Sequence, residues 1–339
     1  MLGEACAALM LAALMAYAVT GGADFGGGVW DLLATGPRRA AQRGLIERAI
    51  APVWEANHVW LIFVVVVLFT AFPSVYARVS TVLHLPLTAL LLGIVARGSA
   101  FVFRQYGARA ERTWGRVFAV ASVVTPLMLG VVLGAVTAGD LGDGALSAAD
   151  GRDFAAVYVA PWLRPFPLAV GALALTLFAF LAATYLAWEA EAREGDAALA
   201  GDFRVRALVA GVLLAPAALV AALLARTAAP AFAARFTGSS WSWPLQLVTG
   251  VVAVTALAAL ARRRYRLARA AAIAQVALIL GGWGLAQRPF LIAPDLTIAA
   301  AQAPRATLAL VIPVALAGML ILVPSLYWLF RVFKSSPSR

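Results

Sequence analysis

The 339-residue sequence is poor in cysteine, histidine and charge: it has one cysteine and two histidines, and 13% of its residues are charged. The single cysteine, Cys6, excludes a disulfide within the chain and a metal cluster held by cysteines. A soluble protein of this size has about a quarter charged residues, whereas this chain is 63% hydrophobic. The composition therefore excludes an ordinary soluble protein and predicts an integral membrane protein.

Acidic residues are scarce too, and the 27 Lys and Arg residues against 16 Asp and Glu residues give a formal net charge of +11. The basic residues are scattered in short segments between apolar runs, without the aromatic-interleaved basic face of a nucleic-acid-binding protein. We therefore expect no nucleic-acid partner and interpret the charge as a topology signal.

Long apolar runs are abundant, and a run of about 20 residues crosses the hydrocarbon core of a bilayer. The N-terminal run has no Lys or Arg before it and contains Glu4, which favours a first span over a cleaved signal peptide. Nine candidate spans lie at roughly 2–34, 53–76, 79–103, 115–138, 162–188, 206–229, 244–261, 267–287 and 307–331. No loop is long enough for a soluble domain, so the sequence predicts one all-α polytopic membrane domain over residues 1–339.

The basic residues divide unequally between the two sides of this nine-span arrangement. Of the 27 Lys and Arg residues, 19 fall on the side of the C-terminus and seven on the opposite side, while Arg97 lies within a span. Cytoplasmic loops carry the excess of Lys and Arg. The distribution predicts an N-terminus outside the cell and a C-terminus in the cytoplasm.

Asp24 is one of the few ionisable residues placed well inside a predicted span, where such residues are costly and usually functional. It lies in the segment TGGADFGGGVWD, among five glycines. Each glycine lowers helix propensity by about 1 kcal/mol relative to alanine, which indicates that another helix packs closely here. Two interpretations remain open: a packing face with Asp24 hydrogen-bonded to a neighbour, or a hydrated path lined by Asp24.

The second span begins with the polar segment WEANHVW. At about 100° per residue, Trp54, Glu55 and His58 fall within one arc of the helix, Asn57 lies beyond Trp54, and Trp60 points the opposite way. A carboxylate beside a histidine in partly dry surroundings suits the loading and release of a proton. The alternative is a residue of an interfacial aromatic belt.

Arg97 and His84 lie in the third predicted span. A buried arginine must find an anion or carbonyl groups, and Asp24 and Glu55 are the candidates within this chain. Otherwise Arg97 extends its long stem to the cytoplasmic surface. We expect a helix neighbour or a partner subunit to satisfy His84, and neither histidine has a second histidine at helical spacing, so we predict no metal site and no cofactor on this chain.

Several motifs in a fixed order carry a family resemblance: YAVTGGADFGGGVWDLLA, IAPVWEANHVWLI, LFTAFPSVYA and GIVARGSAFVFRQY, then LIAPDLTIAAAQAPRATL and VPSLYWLFRVF near the C-terminus. Together they resemble subunit II of the cytochrome bd family of terminal quinol oxidases. The resemblance runs from the first span to the last and is densest in residues 17–106.

The resemblance implies nine helices in two four-helix bundles plus one peripheral helix, with internal halves at about residues 1–138 and 162–287 and a peripheral last helix at 307–331. It implies a heterodimer in the bacterial cytoplasmic membrane with a subunit I that holds two b-type hemes, one d-type heme and the quinol site. Small single-helix accessory subunits and membrane lipid are further possible partners. The complex reduces O₂ to water with protons from the cytoplasm, while subunit II is heme-free, aids assembly and provides a proton route.

Residue by residue, Asp24 matches the acid of the family's DGFD-type motif and Glu55 the acid of its WDGNQVW-type motif. Three positions depart from these motifs: Gly22 replaces the first acid, Glu55 replaces an aspartate, and His58 replaces a glutamine with a group that titrates near neutral pH. The resemblance thus predicts Glu55, Asp24 and His58 on the proton route. Asn57, Arg97 and Trp54 are the predicted supporting residues.

Two other functions fit the same residues. A stand-alone secondary transporter would bind a substrate or coupling ion with Asp24, Glu55 and Arg97 near a broken helix. A purely structural scaffold for subunit I would use them for packing alone.

Overall fold

The computed structural model describes residues 1–50, 54–104, 108–139, 141 and 153–335, and within them the side chains of all but 54–56, 108–111, 330 and 333–335. The nine longer helices in these ranges are α1 (Leu2–Leu32), α3 (Trp54–Ala71), α5 (His84–Phe103), α6 (Ala108–Ala138), α8 (Pro165–Arg193), α9 (Ala197–Ala228), α11 (Ser242–Ala261), α12 (Tyr265–Gln287) and α14 (Arg305–Ser335).

The shorter elements connect them: α2 (Arg39–Ile50), α4 (Pro73–Val82), α7 (Phe154–Tyr158), α10 (Pro230–Gly238), α13 (Ile298–Ala301), and an antiparallel hairpin of β1 (Phe290–Ile292) and β2 (Leu296–Thr297). In the described ranges, eight helices are long and apolar enough to cross a membrane, and the bent pair of α3 and α4 makes a possible ninth. The predicted all-α membrane fold with about nine spans is confirmed.

The second predicted span ends earlier than its apolar run suggested. Phe72 leaves helical geometry with φ −139° and ψ 61°, and Pro73 has no N–H to continue the helical hydrogen bonds. The chain bends by 119° at this point. The next helix, α4, buries Val75, Val79 and Val82 along one face, so it is a short amphipathic connector between two spans.

Ion pairs mark both ends of the helices. We call one end of the helix bundle the arginine-rich end. It is the end at which α1, α5, α8 and α11 finish and α9 and α12 begin. There Arg48 contacts Glu194 at 2.7 Å, and Arg38 pairs with Asp202. At the other end, which we call the hairpin end, Arg288 contacts Glu4 at 3.1 Å. Several arginines at the two ends are therefore paired within the chain.

Helix α1 lies at the centre of the structure and packs against α3, α6, α8, α12 and α14. Its glycines face other helices: a side chain at Gly26 would collide with the backbone of Phe178 in α8, and one at Gly28 with Ser122 in α6. Trp30 Nε1 also donates to the carbonyl oxygen of Ala179 at 2.8 Å. The predicted close helix approach at the glycine segment is confirmed.

The close contact at Gly26 predicts that Gly26→Ala destabilises the protein by about 1–3 kcal/mol, because overpacking a tight interface forces the backbones apart. Gly250→Ala in α11 is the matched control, since its new methyl group would meet nothing within 4 Å. Thermal melting of the detergent-solubilised protein should show a lower Tm for Gly26→Ala alone. Equal melting of both variants would show that α1 tolerates a side chain at this contact.

Candidate functional site

A buried ion pair between α1 and α5 forms the centre of the candidate site. Asp24 is 4% exposed and Arg97 is 1% exposed. Arg97 donates from Nη1 to Asp24 Oδ2 at 2.9 Å and from Nη2 to Asp24 Oδ1 at 2.6 Å. It donates further to the backbone oxygen of Asp24 at 3.1 Å and to Ser122 Oγ at 3.1 Å. This is a bidentate, charge-assisted pair whose donors are almost fully used.

Aromatic rings enclose the Arg97 guanidinium. Its central carbon lies 5.0 Å from the ring centroid of Phe25 and 4.8 Å from that of Phe118, within the range of cation–π attraction. Of the two interpretations of Arg97, the pairing with Asp24 is confirmed, and extension to the membrane surface is wrong because the guanidinium is buried.

Helix α3 brings two of its predicted residues to this pair. Asn57 is 4% exposed and donates from Nδ2 to the Thr20 backbone oxygen at 3.3 Å. The His58 ring lies 6.2 Å from the Tyr17 ring and 6.3 Å from the Phe25 ring, centroid to centroid. The side chains of Trp54 and Glu55 lie outside the described residues, so their place beside the pair stays a prediction.

A second charged cluster lies toward the arginine-rich end and was not foreseen. Asp31 is 2% exposed, with its Oδ1 3.7 Å from Arg43 Nε and 4.0 Å from Arg104 Nη1. Arg104 also contacts Glu47 at 3.5 Å. The signal was the spacing: Asp31 and Arg104 each follow a member of the central pair by seven residues, which is two helical turns on the same face.

One phenylalanine links the two clusters. Phe118 of α6 has its ring centroid 4.8 Å from the guanidinium carbon of Arg97 and 4.8 Å from that of Arg104. The two guanidinium groups therefore share one ring, which separates like charges with an apolar but polarisable group.

A cavity of about 730 Å³ leads from the central pair toward the arginine-rich end. Its inner part is polar, with Thr20, Asp24 and Asn57, and its middle is apolar. Its outer part carries Arg193, Arg269 and Arg331 together with the aromatic residues Tyr185, Trp188 and Tyr327. The Asp24 side chain thus contacts Arg97 and also lines a cavity that is large enough for several water molecules.

The histidines show little sign of ligation. His84 Nδ1 lies 2.8 Å from the Thr81 backbone oxygen, and the His84 ring lies 5.0 Å from the Tyr158 ring, so its own chain satisfies it. In the part of the chain that the structure describes, no group of three or more His, Cys, Asp or Glu residues could hold a metal ion.

These features define a polytopic α-helical membrane protein whose charged site is buried between its spans. The chain belongs to the cytochrome bd terminal oxidase subunit II family, whose family model matches residues 2–333. Members of this family are subunits of an oxidoreductase complex. The family resemblance of the sequence is thereby confirmed.

Curated relatives agree with this membership. The chain is 26% identical over 328 residues to a putative cytochrome bd menaquinol oxidase subunit II of Bacillus subtilis, covering 94% of this chain and 91% of the relative. It is 32% identical over 123 residues to subunit 2 of the cytochrome bd-I ubiquinol oxidase of Escherichia coli K12, covering 36% of this chain and 32% of the relative.

A solved structure shares the fold. The bd oxidase structure from Geobacillus thermodenitrificans contains a chain that matches with a TM-score of 0.79 at 23% identity, covering 98% of both chains. The likeness extends over almost the whole length of both chains, so the two chains share an overall fold.

Replacing one partner of the central pair should destabilise the folded protein by about 3–5 kcal/mol, because the other partner is left as an uncompensated buried charge. We expect Arg97→Gln to lower the Tm and the yield strongly, and Asp24→Asn combined with Arg97→Gln to recover part of the loss. The control is Arg38→Gln, which breaks an exposed pair with Asp202 and should change little. Melting curves that leave Arg97→Gln unchanged would contradict the role given to this pair.

Proposed function

We propose that the chain is the heme-free subunit II of a bd-type quinol:O₂ oxidoreductase in the bacterial cytoplasmic membrane. It supports assembly with a heme-bearing subunit I and gives protons a route from the cytoplasm toward the site of O₂ reduction. The observation that carries the proposal is the cavity that joins the arginine-rich end to the buried carboxylate of Asp24.

The excess of basic residues supports an orientation with the arginine-rich end in the cytoplasm. On that orientation the N-terminus lies outside and the cavity opens toward the cytoplasm. Reduction of one O₂ to two water molecules consumes four electrons and four protons. A cavity on the cytoplasmic side that ends at a carboxylate is a suitable entry for those protons.

Each residue of the proposed proton route has a distinct task. Glu55, at the start of α3, takes up protons, and His58, three residues later, holds or shares them. Asn57 and Thr20 position water beside Asp24. Arg97 holds the Asp24 carboxylate in place through two hydrogen bonds beside the cavity.

The second cluster also lies between the arginine-rich end and Asp24, but we assign it no part in proton entry. Asp31 and Asp24 lie on one face of α1, about 10 Å apart along the helix axis. Arg43 and Arg104 hold Asp31 near the arginine-rich end. Because Phe118 packs between the two arginines and Gly28 packs on Ser122, we assign Asp31 to structural support and the cavity to proton entry.

The two other functions are less well supported. A stand-alone transporter is not favoured, because the family model covers almost the entire chain. A scaffold without a proton role would need no cavity beside Asp24, yet the inner cavity is lined by polar groups.

Glu55→Gln tests the proton role, since glutamine keeps the shape but cannot carry a proton. We expect quinol-oxidase turnover and proton uptake of the purified complex to fall roughly tenfold or more, as for other groups that transfer protons, with unchanged heme content. Glu55→Asp should restore most of the rate. Both rates are measured in proteoliposomes with an oxygen electrode and a pH-sensitive dye.

Glu194→Gln is the matched control, since Glu194 lies at the arginine-rich end but outside the cavity lining. If Glu55→Gln keeps its turnover at full heme content, the chain acts as a scaffold without the proposed proton role. A reduced-minus-oxidised spectrum without b and d hemes on a co-purified subunit would overturn the oxidase assignment itself.

A further inference from the structure

The outer part of the cavity is more positively charged than a passage for protons requires. Arg193, Arg269 and Arg331 come from three different helices and line the same space. Arg193 contacts Glu189 at 3.2 Å, and the Arg269 guanidinium lies 4.1 Å above the Trp188 ring. Among the residues that the structure describes, neither Arg269 nor Arg331 forms an ion pair.

This charged region lies where the bundle meets the bilayer. Helix α14 packs mainly on α1 and α3, and the cavity separates its last turns from α8 and α12. Tyr327, which lines the cavity, is 66% exposed, and Trp328 beside it is 70% exposed. Aromatic residues next to arginines are typical of the membrane–water interface. A ligand can therefore enter from the bilayer as well as from water.

The walls suit an amphiphile with an anionic head. The outer part offers guanidinium groups, which bind phosphate through paired hydrogen bonds. Deeper in the cavity, Val19, Leu181 and Ile273 form an apolar wall. Basic pockets between spans at a membrane surface bind acidic lipid head groups, whereas a neutral quinone ring would leave the arginines uncompensated.

We propose that the phosphate group of an acidic phospholipid binds at the outer cavity between Arg193, Arg269 and Arg331. Its acyl chains lie along the exposed apolar face of α14 that includes Leu320 and Ile321, which leaves the polar inner cavity free for water. This lipid site extends the function proposed above, because the guanidinium groups of Arg269 and Arg331, which form no ion pair among the described residues, would repel protons at the entrance. A bound phosphate lowers that positive potential.

The test measures lipid binding by the purified two-subunit complex without turnover. Native mass spectrometry counts bound phosphatidylglycerol after detergent exchange, and melting curves are recorded with phosphatidylglycerol, phosphatidylcholine or inorganic phosphate. We expect wild-type complex to retain phosphatidylglycerol and to melt at a higher temperature with it alone. Arg269→Gln combined with Arg331→Gln should weaken this binding roughly tenfold, while Arg193 stays in place with Glu189.

The matched control is Arg266→Gln, because Arg266 is exposed on the same turn of α12 and does not line the cavity. It should bind phosphatidylglycerol as wild type does. If the double variant fails to assemble with full heme content, Arg331→Gln alone, at the exposed end of α14, is expected to give a smaller loss of the same kind.

The lipid site would be overturned if the double variant retained as much phosphatidylglycerol as the wild type, or if phosphatidylcholine raised the Tm of the complex equally. An equal rise in Tm with inorganic phosphate would also overturn it and would indicate a site for free anions. Displacement of phosphatidylglycerol by a neutral quinone analogue would overturn it too. A double variant that loses the lipid but keeps normal proton uptake would sustain the site and refute its link to proton entry. Unchanged proton uptake in Glu55→Gln with normal lipid binding would count against the proton route alone.

Discussion

The ion pair between Asp24 and Arg97 is the interaction on which the rest of the structure depends. Two charges with 4% and 1% exposure are tolerated only if their geometry is good and their remaining donors are satisfied. Ser122 and the rings of Phe25 and Phe118 supply those contacts. For Ser122 to reach the pair, α6 must come close to α1, and the missing side chain at Gly28 permits this approach. The glycines of α1 are thus a condition for burying the pair.

The pair also has an open side. The cavity reaches Asp24 from the arginine-rich end, with Asn57 and Thr20 beside the carboxylate. A carboxylate that is paired on one side and lines a cavity on the other can exchange protons with water that enters the cavity. In the function that we propose, stability and proton entry use the same residue, which would explain why a costly charge is kept between apolar helices.

Much of this was accessible from the sequence, because membrane spans leave a strong compositional signal. The long first span follows from hydropathy, and the close packing follows from the cost of glycine in helices. The cost of buried charge narrowed the acidic partners of Arg97 to Asp24 and Glu55, and the fold selects Asp24. The bend at Phe72 and Pro73 was missed, since the apolar run continues through it and hydropathy does not register a turn. Asp31 was missed because it stands at the predicted end of a span, where a carboxylate is unremarkable. Its partners Arg43 and Arg104 come from other helices, and only the fold brings them to it.

If protons reach Asp24 through the cavity, a side chain that fills the cavity should slow their uptake. Ala23 lines the cavity one residue before Asp24, so Ala23→Leu narrows the space without changing any charge. The measurement is the rate of proton uptake by the complex during a single reduction of O₂, with heme content as the reference. The account predicts that Ala23→Leu slows uptake while the hemes and the Tm stay normal. Uptake at the wild-type rate with the cavity filled would contradict it.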